Sequence, residues 1–134
     1  MLNVLGIVRR KDNKILIMKR EDDSYIKELS WCFPGGRPER NEELEDALKR
    51  SVKEKTNIDI ENIDLVFARA FEEKKEFLLI YYSCEALNDE AEALKQCTDV
   101  KWVNPTEVKE YFTTSIHPEV YNFLRRLEKG KGQI

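Results

Sequence analysis

The chain has 134 residues, of which 41% are hydrophobic and 37% charged, a composition that supports a packed core and excludes a disordered chain. Its 23 basic and 26 acidic residues give a net charge of −3. This balance argues against a dedicated nucleic-acid-binding protein, which would carry a broad basic surface. The length predicts one domain over residues 1–134.

The cysteines and the first residues bear on cellular location. Cys32, Cys84 and Cys97 are scattered without the spacing of metal ligands, which is typical of reduced thiols in an intracellular protein. The N-terminal apolar run precedes its basic residues and has no small-residue cleavage site, which favours a strand over a signal peptide. No apolar run approaches the roughly 18 residues of a membrane span. We therefore expect a cytoplasmic protein with no membrane partner.

The first elements are predicted to be short strands. Residues 2–9 and 14–19 are apolar runs joined by a hairpin turn at 11–13. A polar loop follows over 21–30. The next strand, at 31–33, is ended by Pro-Gly-Gly.

A helix is predicted next, because apolar residues recur at helical spacing. The stripe consists of Leu44, Ala47, Leu48 and Val52. Asn41 is expected to cap its N-terminus, with Glu42 and Glu43 in the first turn. Asn57 is expected to end it, since asparagine tolerates the left-handed C-terminal conformation.

The second half of the chain predicts three more strands and two helices. A strand is expected within 59–71, at 65–70, and further strands at 76–86 and 98–103. Helices are expected at 105–111 and 118–128. The near-continuous apolarity of 76–86 indicates a central strand covered on both faces. The pattern predicts an α/β (α+β) fold with a mixed sheet between helices.

The stretch from Gly36 to Ile58 resembles the Nudix box, whose pattern is G-x5-E-x7-R-E-U-x-E-E-x-G-U with U aliphatic. The matching positions are Gly36, Glu42, Arg50, Val52, Glu54 and Ile58. The departures are Ser51, Lys55 and Asn57. The preceding WCFPGG and the later KWVNPTEV also resemble segments of MutT-like members, so the resemblance covers essentially the whole chain.

The resemblance implies a Nudix-type α/β/α sandwich and a function. Family members are mostly hydrolases that cut a nucleoside diphosphate linked to another group, and they need Mg²⁺ or Mn²⁺. Their three box carboxylates hold the metal, and these map onto Ser51, Glu54 and Lys55. A structural pair that pins the loop to the helix maps onto Glu42 and Arg50. Small members are often dimers, so a homodimer is possible by analogy.

The departures alter charge more than shape. Positions 51, 54 and 55 share one helix face. The family pattern has three carboxylates there, whereas this chain has one carboxylate, one hydroxyl and one ammonium. Magnesium needs hard anionic oxygens, so we expect weak binding of Mg²⁺ or Mn²⁺ at a patch left free beside the loop. Asn57, and Asn41 where another form of the box has glycine, are expected to preserve the backbone, because asparagine takes positive φ readily.

The candidate site residues follow from this reading. Glu54 is the candidate catalytic residue and metal ligand, with Glu39 and Asp99 as possible further ligands. Gly35, Gly36 and Lys55 are candidates to contact phosphate. Each has an ordinary alternative: a solvent-facing helix residue for Glu54, a surface lysine for Lys55, a turn residue for Glu39. Tyr25 and Phe71 are candidates to stack on a base.

Three functions remain open from the sequence. The first is a Nudix-type hydrolase of a nucleoside diphosphate derivative, such as a nucleotide or nucleotide sugar, with weak or altered activity. The second is an inactive module that binds a nucleotide or docks on a protein. The third is a relative of RNA pyrophosphohydrolases or decapping enzymes, which the net charge and the lack of a basic stripe disfavour.

Overall fold

The computed structural model describes residues 1–130 except 22, 24 and 28. The strands formed by these residues are β1 (Leu2–Arg9), β2 (Ile15–Lys19), β3 (Trp31–Cys32), β4 (Gly35–Gly36), β5 (Ile60–Phe71), β6 (Lys74–Ala86) and β7 (Asp99–Val103). The α-helices are α1 (Leu44–Thr56), α2 (Val108–Tyr111) and α3 (Pro118–Gly130), with a 3₁₀ turn at Pro105–Glu107 before α2. The predicted loop at 21–30 and the chain end at 131–134 lie partly or wholly outside the described residues.

The seven strands of the described residues form one mixed sheet. Its main order is β3-β2-β1-β6-β5, while β4 pairs with β1 and β7 pairs with β2. The β1–β6 pair is parallel and the remaining pairs are antiparallel. The hairpin turn between β1 and β2 uses Asn13 at φ 66°, a conformation that asparagine adopts more easily than most residues.

The alternation of side chains along β1 divides the hydrophobic core into two layers. Val4 and Val8 pack with Leu48 and Val52 of α1 on one face of the sheet. Ile7 packs on the other face, where helices α2 and α3 supply Val108, Val120 and Leu124. The α/β fold with a mixed sheet between helices is therefore confirmed.

Strand β6 occupies the central position that its apolar sequence predicts. It pairs with β1 on one side and with β5 on the other. Phe77, Leu79 and Tyr81 enter one core, while Tyr82 and Cys84 enter the other. A strand covered on both faces accounts for the near-continuous apolar run.

Two local predictions are wrong. Helix α1 begins at Leu44 after Glu43, and Asn41 is not its N-cap: Asn41 lies in the preceding loop with φ 64°. Strand β5 is twice as long as predicted, because β6 pairs with its polar first half through two register shifts. Pairing with a long central strand thus overrides a weak local pattern. Asn57 does end α1, with φ 63°.

Among residues 1–130, with 22, 24 and 28 left aside, no helix is long and apolar enough to cross a membrane.

Candidate functional site

The short strand β4 brings the glycine pair against β1 and against helix α1. Val4 of β1 lies opposite Gly36 and Leu5 lies opposite Gly35. A Cβ on Gly35 would overlap the Val4 carbonyl oxygen, and a Cβ on Gly36 would lie 2.8 Å from Ser51 Oγ. Both positions therefore need glycine for close packing.

The helix face that carries Ser51 and Lys55 is buried, and this corrects the expectation of a patch free to meet a ligand. Ser51 is 2% exposed and Lys55 is 7% exposed. The Lys55 ammonium donates a hydrogen bond to the carbonyl oxygen of Gly35 at 2.5 Å. A Cβ on Gly36 would also lie 3.0 Å from Lys55 Nζ, so the glycine strand leaves just enough room for the ammonium.

Burial lowers the pKa of Lys55, because the charged ammonium loses hydration. The positive charge of Arg20 acts in the same direction. The ammonium is thus an incompletely neutralised cation held against the glycine strand. Such a group attracts an anion more strongly than an exposed lysine would, since water screens it less.

The loop between β4 and α1 is fixed by Glu42 and Arg50. The Arg50 guanidinium donates two hydrogen bonds to the Glu42 carboxylate, from Nε at 2.8 Å and from a terminal nitrogen at 2.9 Å. The same side chain donates to the Arg37 carbonyl at 3.0 Å. Glu42 also accepts the Glu39 backbone N–H at 2.8 Å. Both members of the ion pair therefore also bind the loop backbone, Arg50 through the Arg37 carbonyl and Glu42 through the Glu39 N–H.

This ion pair changes the acidity of Glu42. The hydrogen bonds from Arg50, followed by the one from the Glu39 backbone, lower the pKa of Glu42 to about 2. The carboxylate consequently stays ionised over the whole physiological pH range.

A cavity of about 450 Å³ opens beside the glycine strand and continues over the face of the sheet that carries α2 and α3. Its volume is in the range of small-molecule sites. Of the described residues that line it, six are cationic and two are anionic. The cationic end, as we call it, is formed by Arg20, Arg37, Arg50, Lys55 and Lys95. Arg20 pairs with Asp23 at 3.2 Å and Arg50 pairs with Glu42 at 2.8 Å, so part of this positive charge is neutralised by neighbouring carboxylates. The excess of cations over anions in the lining still favours an anionic ligand.

The other part of the cavity is an aromatic end. Its lining includes Phe33, Phe71, Phe77, Tyr81 and Phe112. Phe33 contacts Phe112 and Tyr81 edge-on, with ring centroids 4.9 and 6.1 Å apart. Rings in this arrangement offer flat apolar walls to a planar ligand group.

The structure brings most of the predicted site residues together. Gly35, Gly36, Ser51, Glu54 and Lys55 all line the cavity. Tyr25 and Phe71, the predicted stacking candidates, line it as well.

Two predicted metal ligands lie apart from this group. Glu39 and Asp99 are absent from the described residues that line the cavity. The Glu39 side chain is 72% exposed and lies 3.8 Å from Arg50. Asp99 begins β7, opposite Lys19, and accepts the Val100 backbone N–H.

The residues present do not fit a divalent cation. Glu54 is the one carboxylate at the three box positions, and Arg50 approaches it to 3.3 Å. The Gly35 carbonyl, an oxygen donor suited to such an ion, accepts the Lys55 ammonium instead. Within the described part of the chain, no three His, Cys, Asp or Glu side chains form a group that could hold a metal ion. Charge repulsion from the ammonium adds to this mismatch.

Sequence reasoning missed the arginines of the cavity. Arg20 and Arg37 line the cationic end, and Arg69 of β5 lines the aromatic end. The available signal was period-two alternation in β5, which places Arg69 between Phe67 and Phe71 on one face of the strand.

Known proteins with similar sequences include enzymes that are named for nucleotide hydrolysis. The chain is similar to a nucleoside triphosphatase NudI of Escherichia fergusonii, with 27% identity, covering 76% of this chain and 81% of that protein. It is also 42% identical over 57 residues to an 8-oxo-dGTP diphosphatase of Buchnera aphidicola, covering 42% of each chain. The relatives are therefore named as enzymes of nucleotide hydrolysis.

Solved structures and a family model cover nearly the whole chain. The crystal structure of a MutT protein from Methanosarcina mazei superposes with a TM-score of 0.72 at 20% identity, covering 99% of this chain and 96% of the other, which shows a shared fold. A family model described as the NUDIX domain matches residues 1–127. The chain belongs to the Nudix family.

Proposed function

We propose that this protein binds a nucleoside diphosphate derivative in its cavity, that the Lys55 ammonium takes the place of a divalent cation, and that hydrolysis of the pyrophosphate bond is weak. One observation carries the proposal: the buried Lys55 ammonium donates to the Gly35 carbonyl at the cationic end of the cavity.

The charge distribution supports diphosphate binding at the cationic end. An ammonium is a compact point charge that suits a phosphate oxygen. It carries three N–H donors, of which one is given to the Gly35 carbonyl, and the described residues accept no other side-chain hydrogen bond from Lys55. Arg37 and Arg20, the latter paired with Asp23 at 3.2 Å, add guanidinium groups to the lining of the cavity. Guanidinium groups bind phosphate with two parallel hydrogen bonds.

The relatives support the choice of a nucleotide. Proteins named as a nucleoside triphosphatase and an 8-oxo-dGTP diphosphatase are similar to this chain. The aromatic end provides rings against which a base can stack. The cavity therefore offers separate surfaces for the two chemical halves of a nucleotide.

Binding in the presence of a chelator tests the proposal. Calorimetry with ADP and GDP is expected to give the same affinity in EDTA and in Mg²⁺. Lys55→Met is expected to weaken binding about tenfold or more, because a buried charge partner is removed. Lys53→Met is the matched control, since Lys53 lies two residues away on the exposed side of α1. Affinity that appears only with Mg²⁺, or an unchanged Lys55→Met protein, would contradict the proposal.

A metal-dependent hydrolase is the second candidate, favoured by Glu54, whose carboxylate lines the cavity next to Lys55. In that reaction water attacks one phosphorus of the diphosphate bridge, and the bond to the bridging oxygen breaks. We would assay Mg²⁺ and Mn²⁺ with nucleoside triphosphates, ADP-ribose, sugar nucleotides and dinucleoside polyphosphates. Turnover that EDTA and Glu54→Gln both abolish would establish this candidate.

A double variant separates the two candidates. Ser51→Glu with Lys55→Glu restores carboxylates at the box positions of α1. A silent native protein together with an active double variant would show that the fold and the cavity are intact and that the metal ligands alone are missing. We expect weak turnover by the native protein and faster turnover by the double variant.

The oligomeric state and the cellular location stay predictions. A homodimer would be tested by light scattering, and a cytoplasmic location by fractionation.

A further inference from the structure

The sheet contributes to the cavity a polar side chain for which the fold supplies no partner. Among the described strand residues that line the cavity, those with a side-chain nitrogen or oxygen are Asn3, Arg69 and Tyr81. Arg69 and Tyr81 bind each other, since Arg69 Nε donates to the Tyr81 hydroxyl at 3.1 Å. The Asn3 amide has no hydrogen-bond partner among the described residues.

Strand β1 fixes Asn3 in the wall of the cavity, next to the glycine strand. Asn3 pairs with Leu79 of β6, and the following residue, Val4, pairs with Gly36 of β4. Alternation along β1 places the Asn3 side chain on the same face as Leu5, which also lines the cavity. The amide is therefore presented to the cavity from a strand with neighbours on both sides, which limits how far it can move.

A polar side chain at this position is costly for the fold by itself. Asparagine is disfavoured in strands, and a polar group that loses water without gaining a hydrogen bond is destabilising. Asn3 is partly buried, yet its amide is not among the described side-chain atoms that are sealed from solvent without a partner. Its oxygen and nitrogen therefore stay accessible, one as an acceptor and the other as a donor.

The surroundings of Asn3 suit an uncharged part of a ligand. Leu5, Phe77 and Leu79 line the cavity together with it. Apolar walls with a few polar groups that fix orientation are typical of small-molecule sites. Since the cationic end suits the phosphates of a nucleotide, the base is the part that meets Asn3.

We propose that Asn3 is a binding residue whose side-chain amide pairs with the edge of the nucleotide base. Adenine carries an amino donor beside the N7 acceptor, and an asparagine amide matches such a pair with two hydrogen bonds. Guanine carries N1–H beside O6, which the same amide matches when it is turned over. This inference rests on the proposed function, because it places the nucleotide phosphates at the cationic end.

Ligands with and without a base test the contact. We would measure binding of ADP, GDP, ribose 5-diphosphate and pyrophosphate by calorimetry in EDTA. Asn3→Leu, which keeps a similar size and removes both hydrogen-bonding atoms, is expected to weaken ADP and GDP about tenfold. Ribose 5-diphosphate and pyrophosphate are expected to bind the variant and the native protein equally. An equal loss for ribose 5-diphosphate would place the amide at the sugar and overturn the inference.

Lys55→Met is the contrasting variant. It is expected to weaken all four ligands, since each carries a diphosphate that the ammonium contacts. The two variants should therefore differ in their effect on the ligands without a base. A loss confined to ADP and GDP in both variants would contradict the separate roles assigned to Asn3 and Lys55.

The stability of the ligand-free protein gives an independent readout. Because the Asn3 amide has no described partner, Asn3→Leu is expected to leave the unfolding temperature unchanged or to raise it. An asparagine that served the fold would destabilise the protein when its hydrogen bonds were lost. A clear fall in the unfolding temperature would overturn the assignment of Asn3 to ligand binding.

These results distinguish the inference from the proposed function. If none of the four ligands binds in EDTA, the proposed function fails and the inference fails with it. If all four bind and Asn3→Leu weakens none of them, the cationic end is supported and only the role of Asn3 is rejected.

Discussion

The Nudix box of this protein contains two regions that differ in what they preserve. In the first, Glu42 and Arg50 hold the loop with two hydrogen bonds, in the arrangement that the family pattern implies. In the second, Ser51 and Lys55 stand where the pattern has carboxylates, and both are buried against the glycine strand. The comparison teaches that the backbone shape of the box and its charge are separable. A buried ammonium bonded to a backbone carbonyl fills the space without disturbing the loop.

The largest expected effect is on stability, and it should differ between the two glycines of β4. Gly35→Ala should destabilise the fold by about 3 kcal/mol, because the new Cβ overlaps strand backbone that cannot move independently. Gly36→Ala should cost about 1 kcal/mol, since the Cβ meets side-chain atoms of Ser51 and Lys55 that can shift. Urea unfolding would measure both. Equal costs would show that the glycine strand is not held as tightly to β1 as its pairing indicates.

The next largest effect is expected on the opening of the loop between β4 and α1. Arg50→Met removes the donors to Glu42 and to the Arg37 carbonyl, so the loop should open more often while the core stays folded. Hydrogen exchange at the Glu39 and Glu42 amides is expected to accelerate roughly tenfold. Lys49→Met, on the exposed side of the same helix, is the control. Unchanged exchange in Arg50→Met would mean that the ion pair does not hold the loop.

A smaller effect is expected from pH at Lys55. Because burial lowers its pKa, the Lys55 ammonium is lost as pH rises through a value below that of an ordinary lysine. Affinity for diphosphate should therefore fall on the alkaline side before surface lysines deprotonate. A pH series of calorimetric titrations, repeated with Lys55→Met, would measure it. An alkaline profile shared by both proteins would assign the loss to another group.

The smallest effect is expected on stability when Asn57, the residue with positive φ at the end of α1, is replaced. Asn57 ends α1 in the left-handed conformation, and its side chain donates to Glu92 at 2.9 Å. Asn57→Ala should cost about 1 kcal/mol, because alanine is disfavoured at positive φ. Asn57→Gly should be close to neutral, since glycine adopts this conformation freely while losing the side-chain contact. Thermal unfolding of both variants would compare them, and equal losses would point to the Glu92 contact instead.

Much of the fold could be predicted because its signals are local. The bounds of β1 follow from one apolar run, and the end of α1 follows from Asn57. Asn41 shows the limit of local reasoning. A capping residue and a left-handed loop residue look alike in local sequence, so the helix pattern wrongly assigned Asn41 as the N-cap. The family pattern, which has glycine at this position in one form of the box, correctly indicated the positive φ.

The site was less predictable because its chemistry depends on contacts distant in sequence. The burial of Lys55 requires β4 to pack against α1, and the hydrogen bond to Gly35 joins residues twenty positions apart. Helix periodicity places Lys55 beside Ser51 but does not show which surface covers them. Arg69 meets Ser115 only through the tertiary fold, so its role in the cavity could not be inferred from β5 alone.

The parallel pairing of β1 with β6 has a consequence for how the protein folds. The register joins Leu2 to Leu78, so the strand that supports the glycine pair gains its second neighbour only after a long chain segment has been ordered. Closing such a segment costs entropy before the contacts form, which makes long-range pairing a late step in folding. The cavity beside the glycine strand should therefore be absent from early folding intermediates. A bound nucleotide should slow unfolding by stabilising contacts that form last.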